Sequence, residues 1–188
     1  MGIFVISSYN QNENAALTRS VPVMIMVRAF EKMHHRYAAG QMKQEVWAMP
    51  MEIKDVDGGL GNLITGHGVV RGQEYLNLLE DHFSQDPRKF KKYLYSLCDL
   101  TQVSKLEVDS NDIELAAKMS RQASEINLKA VVAVASDKDI TFGMSRMWEI
   151  LFDEKNWEVM VFRNREDAEK WIRSRVKEKN GIDGLTMA

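Results

Sequence analysis

The chain has 188 residues, a formal net charge of −2, 45% apolar and 28% charged residues. That length and balance suit one soluble domain, or a domain with an appendage, burying its own core without metal or disulfide staples. They exclude collagen-like, coiled-coil, disulfide-scaffold and wholly disordered chains. No apolar run approaches the ~20 residues that cross a bilayer, and Met1-Gly2-Ile3-Phe4-Val5-Ile6 lacks the basic start of a signal peptide. The single cysteine, Cys98, forms no internal disulfide, which fits a reducing, cytoplasmic setting. The near-neutral charge argues against nucleic acid as the main partner.

Residues 1–50 carry six of the twelve methionines, the pair His34-His35, and no clean periodicity. They read as an N-terminal extension of weak order, or as sequence upstream of the true start, because so little apolar surface does not offset chain entropy. From Met51 the pattern becomes regular. Met51–Val56 alternates apolar and polar as a half-buried strand. Asp57-Gly58-Gly59 is hairpin-turn chemistry, and Leu60–Gly66 returns as a second strand. Gly72–Gln85 sets Tyr75, Leu76, Leu79 and Phe83 on one helical face, and Asp86-Pro87 stops it. Tyr93–Leu100 reads as a strand and Asn111–Ile126 as a helix. The unbroken run Ala130–Ala135 predicts a strand covered on both faces. Ser136 is expected to cap a helix that turns Ile140, Met144, Met147, Trp148 and Leu151 inward. Trp157–Phe162 closes the strands, and Asn164 caps a last helix bearing Ala168, Trp171, Ile172 and Val176. The polar residues 179–188 are expected to fray. The order β-β-α-β-α-β-α-β-α demands a largely parallel α/β sheet with packed helices, plus one antiparallel strand from the opening hairpin.

Three stretches of residues 51–178 resemble the STAS domain family, especially its SpoIIAA-like bacterial members, relatives of the sporulation anti-anti-sigma factor. Cys98-Asp99-Leu100-Thr101-Gln102-Val103-Ser104 is similar to the family's strand ending Asp-Leu-Ser/Thr-x-Val. Phe142-Gly143-Met144-Ser145-Arg146-Met147-Trp148-Glu149 is similar to a recurring helix start. Val161–Ile172 resembles the closing strand and helix. The resemblance implies a regulatory module without catalysis or cofactor, which binds a protein partner such as a kinase-type anti-sigma factor. Many members are switched by phosphorylation at the start of the second helix, in the motif Asp-Ser-Ser/Thr-Gly. Ser110, in Val108-Asp109-Ser110-Asn111-Asp112, is the nearest match to that phosphoacceptor, without the motif's glycine. The plainer reading of the same residues is that Asp109 or Ser110 caps the helix.

The remaining candidates divide between binding and packing. Loops at the carboxyl ends of parallel strands meet ligands and partners, so Thr101, Ser104, Asp109, Ser110 and Asn111 are the candidate partner-binding residues. Arg146 is either an ion-pair partner of Glu149 or a further partner contact. Met144, Met147, Trp148, Leu151 and Phe152 pack the sheet, or else line a cavity for an apolar ligand. Such a carrier or sensor of a lipid-like molecule is the alternative function, since SpoIIAA-like proteins also resemble the CRAL-TRIO lipid-binding fold. A connected cavity of ~300 Å³ or more would favour it. The basic run Arg88-Lys89-Phe90-Lys91-Lys92 is a solvated loop or a peripheral membrane contact. Gly66-His67-Gly68 reads as a loop histidine, Cys98 as a buried inert thiol, and Asp57–Gly61 as a turn rather than a phosphate cradle. His34 and His35 are too divergent on a helix to share a metal. No nucleophile–base–orienter set supports a hydrolase, the third and weakest class. Composition leaves the oligomeric state open.

Overall fold

The computed structural model describes residues 50–84, 86–153 and 155–188. The expectations for the N-terminal extension, including His34 and His35, lie outside the described residues. The described residues form one compact unit.

Strands β1 (Met51–Val56) and β2 (Gly61–Arg71) form an antiparallel hairpin in which Met51 faces Gly66 and Val56 faces Gly61. Its turn is Asp57–Gly59, where Gly58 takes φ 67°, a left-handed conformation that costs glycine little. Gly61 is needed for a different reason. A Cβ there would lie 2.3 Å from the Tyr95 ring. Strands β3 (Tyr95–Glu107), β4 (Val131–Ala135) and β5 (Glu158–Phe162) follow in parallel, giving the spatial order β1-β2-β3-β4-β5. Helices α1 (Gly72–Ser84), α2 (Ser110–Ile126) and α3 (Asp139–Phe152) form the crossovers, with a single helical turn at Pro87–Phe90 after α1. Helix α4 (Arg165–Asn180) ends the regular structure. The element order and the mixed sheet are those of the STAS-like α/β topology.

The sequential strand order decides where the helices go. Three crossovers of the same right hand, each advancing one strand in the same direction, deliver their helices to one face. Leu79 of α1, Ile113, Ala116 and Ala117 of α2, and Trp148 and Phe152 of α3 therefore share one core with Ile64, Cys98, Val132 and Val134. Helix α4 has no crossover to make. It covers the opposite face with Ala168, Ile172 and Val176 against Leu63, Leu97, Val131 and Ala133. Every residue of β4 is buried, as a strand between two helical layers must be.

Three expectations are corrected. The tail does not fray: Leu185 and Met187 are 5% and 0% exposed and join the α4 core. What holds them is the hairpin aspartate. Asp57 accepts hydrogen bonds from Thr186 N (2.9 Å), Thr186 Oγ1 (2.6 Å) and Met187 N (3.3 Å), and also from the Tyr95 hydroxyl. Burial opposes ionisation of Asp57, but these donors outweigh it and hold the carboxyl below its usual range. Secondly, β2 runs on through His67 to Arg71, so this histidine is a strand residue bonded to Gln102 (2.9 Å) rather than a loop residue. Thirdly, β3 continues to Glu107, and its last eight residues form a two-stranded ribbon with β2 beyond the reach of β4. Trp171, on α4, is only half-buried and packs on Phe162 with ring centres 5.7 Å apart.

Candidate functional site

The start of α2 is built by a capping box. The Asp109 side chain accepts from Asp112 N (3.0 Å), and the Asp112 side chain accepts from Asp109 N (3.1 Å). Two of the helix's orphan amides and its entry angle are thereby fixed. Of the two capping residues left open by the sequence, Asp109 is the one used. Ser110 and Asn111 stand in the first turn, exposed, and their side chains bond no other described residue.

The other candidate partner-binding residues separate into two groups. Ser104 is the extra residue of a β-bulge, because Gly68 pairs with Val103 while the next residue, Val69, pairs with Lys105. It is exposed on the ribbon that leads into α2. Thr101 belongs to an earlier bulge, between the pairs Thr65–Asp99 and His67–Gln102. Glu107 lies six residue steps further along the strand, about 20 Å of extended chain, so Thr101 is not part of the α2 start. Its backbone N (3.0 Å) and hydroxyl (2.6 Å) instead donate to Asp99, a 5% exposed carboxylate that also meets Arg165 at 3.4 Å. Arg165 in turn binds Glu169 and the Met187 carbonyl. The Asp-Leu-Thr segment thus fastens β3 to α4 and the tail. Because the strand order never reverses, the sheet has no switch-point crevice of the kind that binds ligands in doubly wound folds.

Arg146 is exposed and ion-paired with Glu149 one turn on. The basic run is divided: Phe90 is buried, while Lys89 pairs with Asp55 at 2.5 Å. No group of three or more His, Cys, Asp or Glu among the described residues could hold a metal.

A cavity of about 90 Å³ lies inside the core that α1, α2 and α3 form on the sheet. Of the five apolar-ligand candidates, Met144 and Trp148 line it. Met147 and Leu151 pack partly buried against the core instead, and Phe152 stacks on Trp148 at 5.7 Å and on Trp157 at 5.3 Å. The volume falls well below ~300 Å³, so it does not favour a lipid carrier. Residues that the sequence reading left aside dominate the wall. His82 stands three residues after Leu79 and seven after Tyr75, a spacing that alone places it on the buried face of α1. Its Nε2 lies 3.2 Å from Asn62 Nδ2, while Asn62 Oδ1 accepts from Ser96 Oγ at 2.6 Å. The Asn62 amide is therefore the donor to an unprotonated Nε2. Cys98 is buried, and burial followed by the neighbouring Asp99 pushes its thiol up to about 12.

Burial lowers the His82 pKa to about 4, against ~6.5 for a free histidine. The unfolded chain takes up the proton first, so stability from neutral His82 is full above the unfolded pKa and lost as pH falls toward 4. Chemical denaturation is expected to show a loss of about 2 kcal/mol between pH 7 and pH 5. Glu149, raised by burial, works weakly in the opposite sense. His82→Gln, which keeps an acceptor for Asn62 but cannot titrate, should flatten most of that slope.

No protein-family model matches the chain, and no curated protein matches it. Among solved structures it is similar to that of an uncharacterized protein from the DUF3478 family, with a SpoIIAA-like fold, from Shewanella loihica PV-4. The identity is 15%, the match covers 65% of this chain and 91% of that one, and the TM-score is 0.41. No helix of the described residues is long and apolar enough to cross a membrane.

Proposed function

We propose that the chain is a non-catalytic, protein-binding regulatory module of the STAS/SpoIIAA-like type, docking its partner at the start of α2. The observation that carries this reading is the division of labour in Asp109–Asp112. The two aspartates cap the helix between themselves, which leaves Ser110 and Asn111 exposed and free of internal duties. Ser104, on its bulge, extends the same surface, and bulges commonly re-aim side chains beside binding sites. Phosphate on Ser110 would meet the positive end of the helix but also the charges of Asp109 and Asp112. Its effect is therefore to switch docking off.

The capping box makes the test clean. Ser110→Ala should change stability by less than about 0.5 kcal/mol, as a surface substitution does. Asp109→Ala should cost about 0.5–2 kcal/mol. Ser110→Glu should fold normally yet recover less of the protein that the unmodified chain retains from its native extract. Equal recovery by Ser110→Glu and the unmodified chain contradicts docking at this position.

A further inference from the structure

The sheet has an edge strand on either side, and the sequence treats the two differently. β1 carries Glu52, Lys54 and Asp55, charges of the kind that keep an edge from pairing with another chain. β5 runs Val159-Met160-Val161-Phe162 without a charge, a proline or a bulge. Among the described residues it pairs only with β4. Glu158 N donates to the Ala130 carbonyl at 3.1 Å, and the Phe162 carbonyl accepts from Ser136 N at 2.9 Å. In a parallel pair the N–H and C=O of one residue point to the same side, and successive residues alternate. The backbone groups of Val159 and Val161 therefore face away from β4, where no other described group bonds them. Side chains alternate too. Met160 shares the α4 face with Glu158, which pairs with Arg175, and with Phe162, which packs on Trp171. Met160 is 40% exposed, and Phe162 and Trp171 are only half-buried, so an apolar patch runs along this edge.

We infer that β5 is the interface with a second copy of this chain, the two strands pairing antiparallel about a two-fold axis at Met160 and joining both sheets into one. Three features select a second copy. The backbone is self-complementary: with Met160 opposite its own equivalent, Val159 meets the second copy's Val161. Both valines present N–H and C=O outward, the requirement of a hydrogen-bonded antiparallel pair. The patch is self-complementary as well. The two Met160 residues form the intervening close pair, with Cα atoms about 4.5 Å apart, and each covers the other between the flanking Phe162 and Trp171 side chains. Charge agrees with this orientation. A two-fold axis normal to the sheet sets both α4 helices antiparallel on one face. The acidic first turn of each, Glu166 and Asp167, then runs beside the basic last turn of the other, Lys177 and Lys179. Opposite charges so placed fix the register of an isologous contact.

The test is the mass of the full chain in solution by sedimentation equilibrium, with and without changes at Met160. A dimer is expected. Met160→Lys alters a partly exposed side chain, so the monomer should stay folded by circular dichroism. It sets two ammonium groups directly opposite each other, and should raise the dimer dissociation constant about a hundredfold or more. Met160→Cys should link the two copies covalently on mild oxidation, because about 4.5 Å lies within the Cα separations that a disulfide spans. Cys98 is buried and does not compete. Glu158→Cys should not link them, since the two equivalent residues stand about 13 Å apart along the paired strands. A chain that stays monomeric up to about 100 μM overturns the inference. So does a dimer that folded Met160→Lys leaves intact. Failure of Met160→Cys to crosslink, or equal crosslinking by Glu158→Cys, also overturns it.

Discussion

Met187→Ala is expected to cost about 2–5 kcal/mol, the penalty of emptying a fully buried core position. Met187 is fully buried beside Ile172 and Val176, and its carbonyl accepts from Arg165 at 2.8 Å. The neighbouring Leu185 carbonyl accepts from Arg173 at 2.9 Å. Equilibrium unfolding in urea measures the effect directly. A change below about 0.5 kcal/mol, the ordinary surface value, would mean that the tail is not part of the core.

Trp148→Ala should cost about 3–5 kcal/mol, as buried aromatic truncations do. Trp148 ties α3 to α2: it donates to Ser120 of α2 at 3.3 Å, stacks on Phe152 of its own helix at 5.7 Å, and walls the cavity. Removing the indole enlarges a void that already exists, so relaxation has little with which to refill it. Trp148→Phe keeps one aromatic ring but gives up the rest of the indole along with the Nε1 bond, and should recover part of the stability. Thermal and urea unfolding of both variants measures these losses. Unchanged melting of Trp148→Ala would place this face of α3 outside the core.

Much of the fold was readable because each local pattern had one structural solution. The alternation of Met51–Val56 and the all-apolar Val131–Ala135 both point to strands, one half-covered and one enclosed. The second half of β3 escaped for a physical reason. Its buried or half-buried apolar residues, Leu100, Val103 and Leu106, fall at spacings of three. Two bulges each insert a residue and shift the parity, which erases the period of two that marks a strand. The tail escaped because Leu185 and Met187 are isolated apolar residues whose partner, Asp57, lies 129 and 130 residues from the donors Thr186 and Met187. No local window contains that pairing.

The candidate site was legible in part. The spacing Asp109-x-x-Asp112 carries the capping box, and it frees Ser110 rather than occupying it. Thr101 was drawn to the wrong neighbourhood by the assumption that β3 ends near residue 100. The cavity was illegible from sequence because its wall is gathered from the sheet and all three crossover helices. Spacing along α3 alone gave Met144 and Trp148, and nothing in that helix indicates His82 or Tyr75 across the core.

The central claim, a protein-docking surface at the start of α2, is tested most directly by site-specific photo-crosslinking in the native cell. A photoreactive phenylalanine analogue would be placed in turn at Ser104 and Asn111, and as a control at exposed Ser174 on α4. The account predicts that Ser104 and Asn111 crosslink to one and the same protein, that Ser174 does not, and that Ser110→Glu abolishes both crosslinks. Crosslinking to that protein from Ser174 alone, or none from either α2-side position, would contradict it.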